Sequence, residues 1–226
     1  MASQTRTFDV RQATAADVLS LATIVPRSFH PTNPYIQSLF PNTPLVQQWW
    51  TEIWTTKLQT PATSHVLTVE PNNPNPNTNK KRKDTQDDTP ANKSLGILSM
   101  QLFSPSDLGA GLYTTFFPTP DHEAQAYHDV AFSMANAREA LMTSTPHFVI
   151  ELFGVDHDFK GHGLGRMLLL RACEIADEAG LPVFVMANAS AKGIYLKFGF
   201  EVRDVKVLAG GYEESMLVRP AAGVAE

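Results

Sequence analysis

Cysteine is almost missing from this chain: Cys173 stands alone among 226 residues. One thiol rules out an internal disulfide framework and suits a reducing compartment. An excess of positive charge is missing too. Eighteen basic residues against 23 acidic ones leave a net charge of −5, so bulk electrostatics offer nothing to nucleic acid or an anionic membrane. No run of about 18 apolar residues occurs, so no membrane-spanning helix is expected. The first ten residues lack the apolar core of a signal peptide, and there are no internal repeats. What is present is ordinary, 43% apolar and 18% charged, the balance of a globular protein with one sizeable core. The expectation is a single soluble domain over residues 1–226, cytoplasmic in location. Only the basic run at residues 80–83 hints at a nuclear address, and Asp84, Asp87 and Asp88 offset it.

Hydrophobic periodicity orders the chain. Residues 7–11 alternate as a short strand. Thr14 or Asp17 can cap a helix over Val18, Leu19, Leu21, Ala22 and Val25. Residues 29–34 read as a turn-rich connection, and 45–58 as an amphipathic helix carrying Trp49, Trp50, Ile53 and Trp54. Those tryptophans are expected in the core, with a cleft wall as the alternative. Strands follow at 65–70 and 95–103. The Pro- and Asn-rich segment between them, 71–94, cannot bury apolar surface and is expected to be a disordered loop insertion. Residues 104–146 form a long excursion with a helix from Asp121, read as a lid or wall beside a cleft. His122, Glu123, His128 and Asp129 lie in it without a closed ligand set, so no metal is expected. Residues 201–208 and 213–219 form a hairpin around Gly210-Gly211, and 220–226 a tail. About seven strands and four or five helices make one mixed α/β fold.

The informative stretch is 147–200. An apolar strand, His147 to Val155, runs into Lys160-Gly-His-Gly-Leu-Gly165 and then a helix ending near Gly180. Glycines at 161, 163 and 165 permit positive φ and close approach of a phosphate to the backbone. The helix that follows presents unpaired N–H groups and the positive end of its dipole. Lys160 and Arg166 flank the turn and add charge. The spacing alone is weak evidence. A nicotinamide fold wants Gly-x-Gly-x-x-Gly and an acidic end to the next strand, but Arg166 takes the third glycine's place and the strand ends Met186-Ala187-Asn188. The Gly-Lys-Ser/Thr of a P-loop is absent.

Two motifs in order narrow the choice. The turn, as strand–loop–Lys160-Gly161-His162-Gly163-Leu164-Gly165–helix, resembles the Arg/Gln-x-x-Gly-x-Gly/Ala signature of the GNAT superfamily of acyl-CoA N-acyltransferases. Lys160 stands at the usual Arg/Gln position and Asp156 where many members have proline. Asn188, Ala191 and Tyr195-Leu-Lys-Phe-Gly-Phe200 are similar to that family's second signature. The resemblance implies a GNAT-like, mostly antiparallel twisted sheet with a splayed central strand pair. It implies acetyl-CoA as co-substrate and no metal. The pantetheine would bond the backbone near Phe153 and Val155, and the pyrophosphate the amides of the 160–165 turn, with His162, Leu164 and Arg166 in that set. Asn188 would contact cofactor or ordered water, and Tyr195 would protonate the departing thiolate.

An alkylamine is protonated near pH 7, so a proton acceptor is needed. Glu151 interrupts the apolar central strand, and alternation puts it on one face with Val149 and Phe153. It is read as a base, as a carboxylate binding a cationic substrate, or as a structural partner; His147 is a weaker base candidate. The acceptor expected is a small-molecule amine. A protein lysine or N-terminus is the second enzymatic reading, and a non-catalytic acyl-CoA sensor the reading from another class.

Overall fold

The computed structural model describes residues 7–72, 93–107, 111–142 and 145–223. Seven strands form one sheet: β1 (Phe8–Gln12), β2 (Ser64–Pro71), β3 (Gly96–Phe103), β4 (His147–Val155), β5 (Val183–Asn188), β6 (Glu201–Val207) and β7 (Glu213–Arg219). Their order is β1-β2-β3-β4-β5-β7-β6. Only β4 and β5 run parallel; the other neighbours are antiparallel. A parallel step needs a crossover, and α7 (Leu164–Ala179) provides it. Leu164, Leu168, Leu169, Ala172 and Ala176 form its buried stripe, in one core with Leu98, Met100, Phe148 and Ile150. Gly180, at φ +66°, ends the helix in the left-handed region. Helix α8 (Ala189–Leu196) joins the same face through Ala191, Ile194 and Tyr195.

The other face carries α1 (Val18–Ala22), α2 (Ile24–Phe29), α3 (Pro34–Leu39), α4 (Pro44–Leu58), α5 (Leu112–Thr115) and α6 (Ala124–Met142). The α4 tryptophans are core residues. Trp50 and Trp54 stack at 5.3 Å, and Trp49 donates from Nε1 to the Phe117 carbonyl at 2.8 Å.

Eight α-helices among the described residues exceed the four or five expected, and the excess is in short ones. The helix anticipated over 18–25 breaks at Thr23 into α1 and α2. Pro26 falls in the first turn of α2, where a missing N–H forfeits no intrahelical bond. The 29–34 connection contains the start of α3: the Asn33 side chain accepts from the Ile36 amide at 3.0 Å with Pro34 just after it. Thr43 and Pro44 repeat this cap at α4. Of the proposed loop at 71–94, Pro71 pairs with Phe8 in the sheet, and Ser94 is pinned by the Ser20 hydroxyl at 2.8 Å. Residues 73–92, with the basic run at 80–83, lie outside the described residues, as do 224–226 of the tail. In β6 the pairing slips at Arg203, a bulge. No helix among the described residues is long and apolar enough to cross a membrane.

Candidate active site

Strands β4 and β5 pair only from Phe148–Val183 to Ile150–Val185. Beyond that, β4 continues to Val155 alongside β3 alone, and β5 to Asn188 alongside β7 alone. The two strands diverge, and the β4 edge through Phe153 and Val155 is left without a strand partner on the β5 side.

The β3–β4 register also slips: Met100 opposes Ile150 and Ser99 opposes Leu152, so Glu151 is the extra residue of a bulge. A bulge changes which residues share a face. Phe148 and Ile150 face α7, and past the bulge Phe153 and Val155 do so too. Phe153 therefore does not share a face with Glu151, contrary to simple alternation. Glu151 turns to α4 and α5. Its carboxylate accepts from Lys57 Nζ at 2.6 Å, Ser99 Oγ at 3.2 Å and the Leu112 amide at 2.9 Å. Lys57 lies along α4 from Trp50 and Trp54, a cation on an apolar stripe that needs a buried anion. With its oxygens committed to three donors, Glu151 fastens α4 and the start of α5 to the sheet. His147 is enclosed as well, its Nδ1–H donating to the Thr145 carbonyl at 2.7 Å and its ring stacked on Phe103.

After Val155 comes Asp156. Burial pushes its carboxyl up, and Lys93 and Arg27 more than reverse this, holding it below the ordinary value. Asp156 also accepts from the Asp158 amide and so starts the 3₁₀ turn His157–Phe159. The turn then opens. Gly161 and Gly163 take φ of +83° and +79°, and a Cβ on either would meet nothing within 4 Å. Their requirement is conformational, with free space outside. The amides of Lys160 and His162 bond back to His157 and Phe159, whereas those of Gly161, Gly163, Leu164, Gly165 and Arg166 find no backbone acceptor. Five unpaired donors at a helix N-terminus form an anion cradle, with Lys160 and Arg166 exposed beside it. His162 Nδ1–H donates to the carbonyls of Phe159 and Lys160 at 3.1 and 3.2 Å, leaving Nε2 outward. Gly165 serves packing instead: a Cβ there would lie 3.2 Å from Phe153 Cζ and 3.7 Å from Ile194 Cδ1.

A cavity of about 90 Å³ fills the gap between the diverging strands. Tyr195 lines it from the α8 side, its ring edge-on to Phe153 and Phe200 at 5.8 and 5.2 Å. Burial, then the carboxylate of Glu214, push its phenol well above the usual tyrosine range. Asn188 closes the end of β5 and caps α8, its Oδ1 accepting from the Ala191 amide at 3.0 Å. The far wall is apolar and aromatic, built from Phe40, Tyr113, Val130, Met134 and Tyr212. Tyr113 of α5 and Val130 and Met134 of α6 lie within the 104–146 stretch, while the tryptophans do not line this cavity.

Besides the aromatic wall of Phe40, Tyr113 and Tyr212, sequence reasoning missed the acidic residue of this cavity, Glu214. It stands on β7 opposite Asn188, is 7% exposed, and its Oε2 has no hydrogen-bond partner. Burial pushes its carboxyl up to about 8 against a pull downward from Tyr212. Tyr212 accepts from Asn33 Nδ2 at 2.8 Å and stacks on Tyr35 at 4.1 Å. The available signal was strand parity, since Glu214 shares its face with the buried Met216 and Val218. His122 and Glu123 do not converge as ligands: His122 Nδ1 accepts from Thr119 N, and Glu123 caps α6 through the Ala126 amide. Among the described residues no three potential ligands gather.

Comparisons agree with this geometry. Residues 111–200 match the model of the acetyltransferase (GNAT) family. No curated protein matches the chain. Among solved structures it is similar to a mosquito arylalkylamine N-acetyltransferase like 5b, with TM-score 0.62, 14% identity, and 94% of this chain and 99% of that one covered. It is also similar to a histone acetyltransferase HPA2 and related acetyltransferase from Corynebacterium glutamicum, with TM-score 0.58, 13% identity and coverage of 97% and 99%. A third is the PaiA N-acetyltransferase of Thermoplasma acidophilum in complex with coenzyme A, with TM-score 0.53, 10% identity and coverage of 95% and 99%. At these identities the structures share a fold.

Proposed function

We propose that this chain, whose residues 111–200 match the model of the acetyltransferase (GNAT) family, transfers an acetyl group from acetyl-CoA to the primary amine of a small molecule. The observation that carries this reading is the gap between β4 and β5. It has an unpaired strand edge on one side, five free amides at the glycine turn and a small cavity between the diverging strands. The donor's arm would bond the β4 edge at Phe153 and Val155, and its pyrophosphate the amides of Gly161, Gly163, Leu164, Gly165 and Arg166, with Lys160 and Arg166 adding charge and His162 at the rim. Acetyl-CoA supplies an activated acyl carbon. The chain's own work is positioning, exclusion of water and proton handling.

Tyr195 is placed for the acid role because it lines the cavity between the strands with its phenol protonated. Asn188 holds the start of α8, and with it Tyr195, against the end of β5. The cavity, about 90 Å³ and open on one side, takes an amine head, and its wall of Phe40, Tyr113 and Tyr212 lies alongside the body that follows.

The test pairs two variants. Tyr195→Phe is expected to lower amine-dependent thiol release by about 10²-fold or more while calorimetric binding of acetyl-CoA stays within about twofold of wild type. Gly163→Glu is expected to abolish that binding with the fold intact by circular dichroism. Wild type that binds acetyl-CoA yet releases no thiol with any amine or peptide would make the chain an acyl-CoA sensor.

A further inference from the structure

The cavity contains two buried carboxylates, and only one has its partners. Glu151 is neutralised by Lys57 at 2.6 Å. Glu214 is equally enclosed, yet no ion pair joins it to a cation among the described residues and its Oε2 is unpartnered. Its neighbours are uncharged or acidic. Tyr212 precedes it at the start of β7; Tyr195 approaches from α8, Tyr35 from α3 and Tyr113 from α5, and Asn188 stands across on β5. From α6 and its cap, Asp129 and Glu123 add negative potential near Tyr35. The one cation in register with it, Lys206 on β6, is exposed and held by Asp204 at 2.8 Å. A buried carboxylate with a phenol as its one partner among the described residues and an oxygen left unbonded is costly, and a ligand cation would remove that cost.

We propose that Glu214 is the catalytic carboxylate that docks the acceptor's ammonium group and takes its proton, and that the acceptor is a small monocationic amine with an apolar, preferably aromatic, body. The inference rests on the acetyltransferase reading above. It adds the base, which the ion-paired Glu151 is poorly placed to be, and the class of acceptor. The walls that meet the body of the acceptor are Phe40, Tyr113, Val130 and Met134. They give a second positive charge no partner, so polyamines and lysine-rich peptides are disfavoured.

The protons balance. The ammonium gives one proton to the Glu214 carboxylate and becomes a neutral amine. The nitrogen lone pair forms the N–C bond to the acyl carbon, the C–S bond breaks, and sulfur leaves with the electron pair. Tyr195 gives that sulfur a proton, and the second proton shed by nitrogen restores Tyr195 through the cavity. The products are a neutral amide and a free thiol, and the net proton leaves from Glu214 to solvent. A carboxyl at about 8 lies about two units below an alkylammonium, so the uphill proton transfer is about 10² rather than the roughly 10⁶ of an ordinary glutamate.

The experiment uses the full chain, acetyl-CoA and three probes: 2-phenylethylamine, spermidine and a short lysine peptide. Wild type should acetylate 2-phenylethylamine with the highest kcat/KM, with a limb in the pH profile near 8. Glu214→Gln should lose tenfold or more in kcat/KM for it and lose the limb, while acetyl-CoA binding stays within about twofold. Glu214→Asp should recover part of the rate. A loss below tenfold in Glu214→Gln, a retained limb, or a wild-type preference for spermidine or the peptide would overturn the proposal. Calorimetry of 2-phenylethylamine on the acetyl-CoA-free protein, run in two buffers of different ionisation enthalpy, should show tighter binding to wild type than to Glu214→Gln, and equal binding also overturns it. Thiol release by wild type that ignores Glu214 removes this inference alone; absence of release with every amine removes the acetyltransferase reading as well.

Discussion

Glu151 and Glu214 are the same residue type, buried to a similar depth on either side of one cavity, in opposite circumstances. On β4, Glu151 has an ammonium, a hydroxyl and an amide delivered to it by α4, β3 and α5. On β7, Glu214 has a nearby phenol and an oxygen with nothing to bond. The difference teaches how a fold divides its buried charge. A carboxylate supplied with donors ties elements together, whereas one denied them weakens the empty fold and leaves an attraction to be satisfied from outside. Burial alone does not separate the two; the donor count does.

The contrast can be broken from either side. Glu214 in the native state holds its proton up to about pH 8 against an ordinary 4.5. The folded chain thus binds more protons than the unfolded one between those values, and stability falls as pH rises from about 4.5 to 8. Glu214→Gln removes the titrating group and should abolish that fall, a gain on the order of 5 kcal/mol at pH 9 relative to pH 4.5, read by urea unfolding across pH. On the other side, Lys57→Ala leaves Glu151 buried and uncompensated and should cost about 3–5 kcal/mol in the same assay at neutral pH. Ser99→Ala withdraws one donor of three and should cost about 1.5–3 kcal/mol; a cost near zero would mean that Lys57 and the Leu112 amide suffice. The smallest effect is expected for Tyr212→Phe. Tyr212 draws the Glu214 carboxyl down, so its loss should move the upper end of the pH-dependent fall to higher pH by less than about one unit, measurable by carboxyl NMR titration.

Much of this architecture is legible in the chain, because its elements announce themselves locally. The apolar run of β4, the alternating glycines, the α7 stripe and the Asn188–Tyr195 segment each carry a pattern that needs no distant partner. What escaped is non-local. The short helices α3 and α5 gain most of their order from packing, although Asn33-Pro34 did advertise a cap. Glu214 sits next to an exposed Glu213 and reads as one more polar residue at a strand start; only the closure of α6 and α3 over β7 buries it. Lys57 was readable, since its position along α4 from Trp50 and Trp54 places a cation on an apolar stripe, and from it a buried partner follows. The bulge in β4 leaves no mark in composition and exists only in the pairing with β3.

That bulge gives β4 a change of parity. Even-numbered side chains, 148 and 150, address α7 before it, and odd-numbered ones, 153 and 155, address α7 after it. The strand can therefore give Glu151 to the helices on one face and still present Phe153 to Tyr195 on the other. Inserting or deleting one residue between Ile150 and Phe153 would exchange these duties, turning an aromatic toward Lys57 and moving the strand edge out of step with the glycine turn. The number of residues in β4 is then as much a working part as any side chain on it.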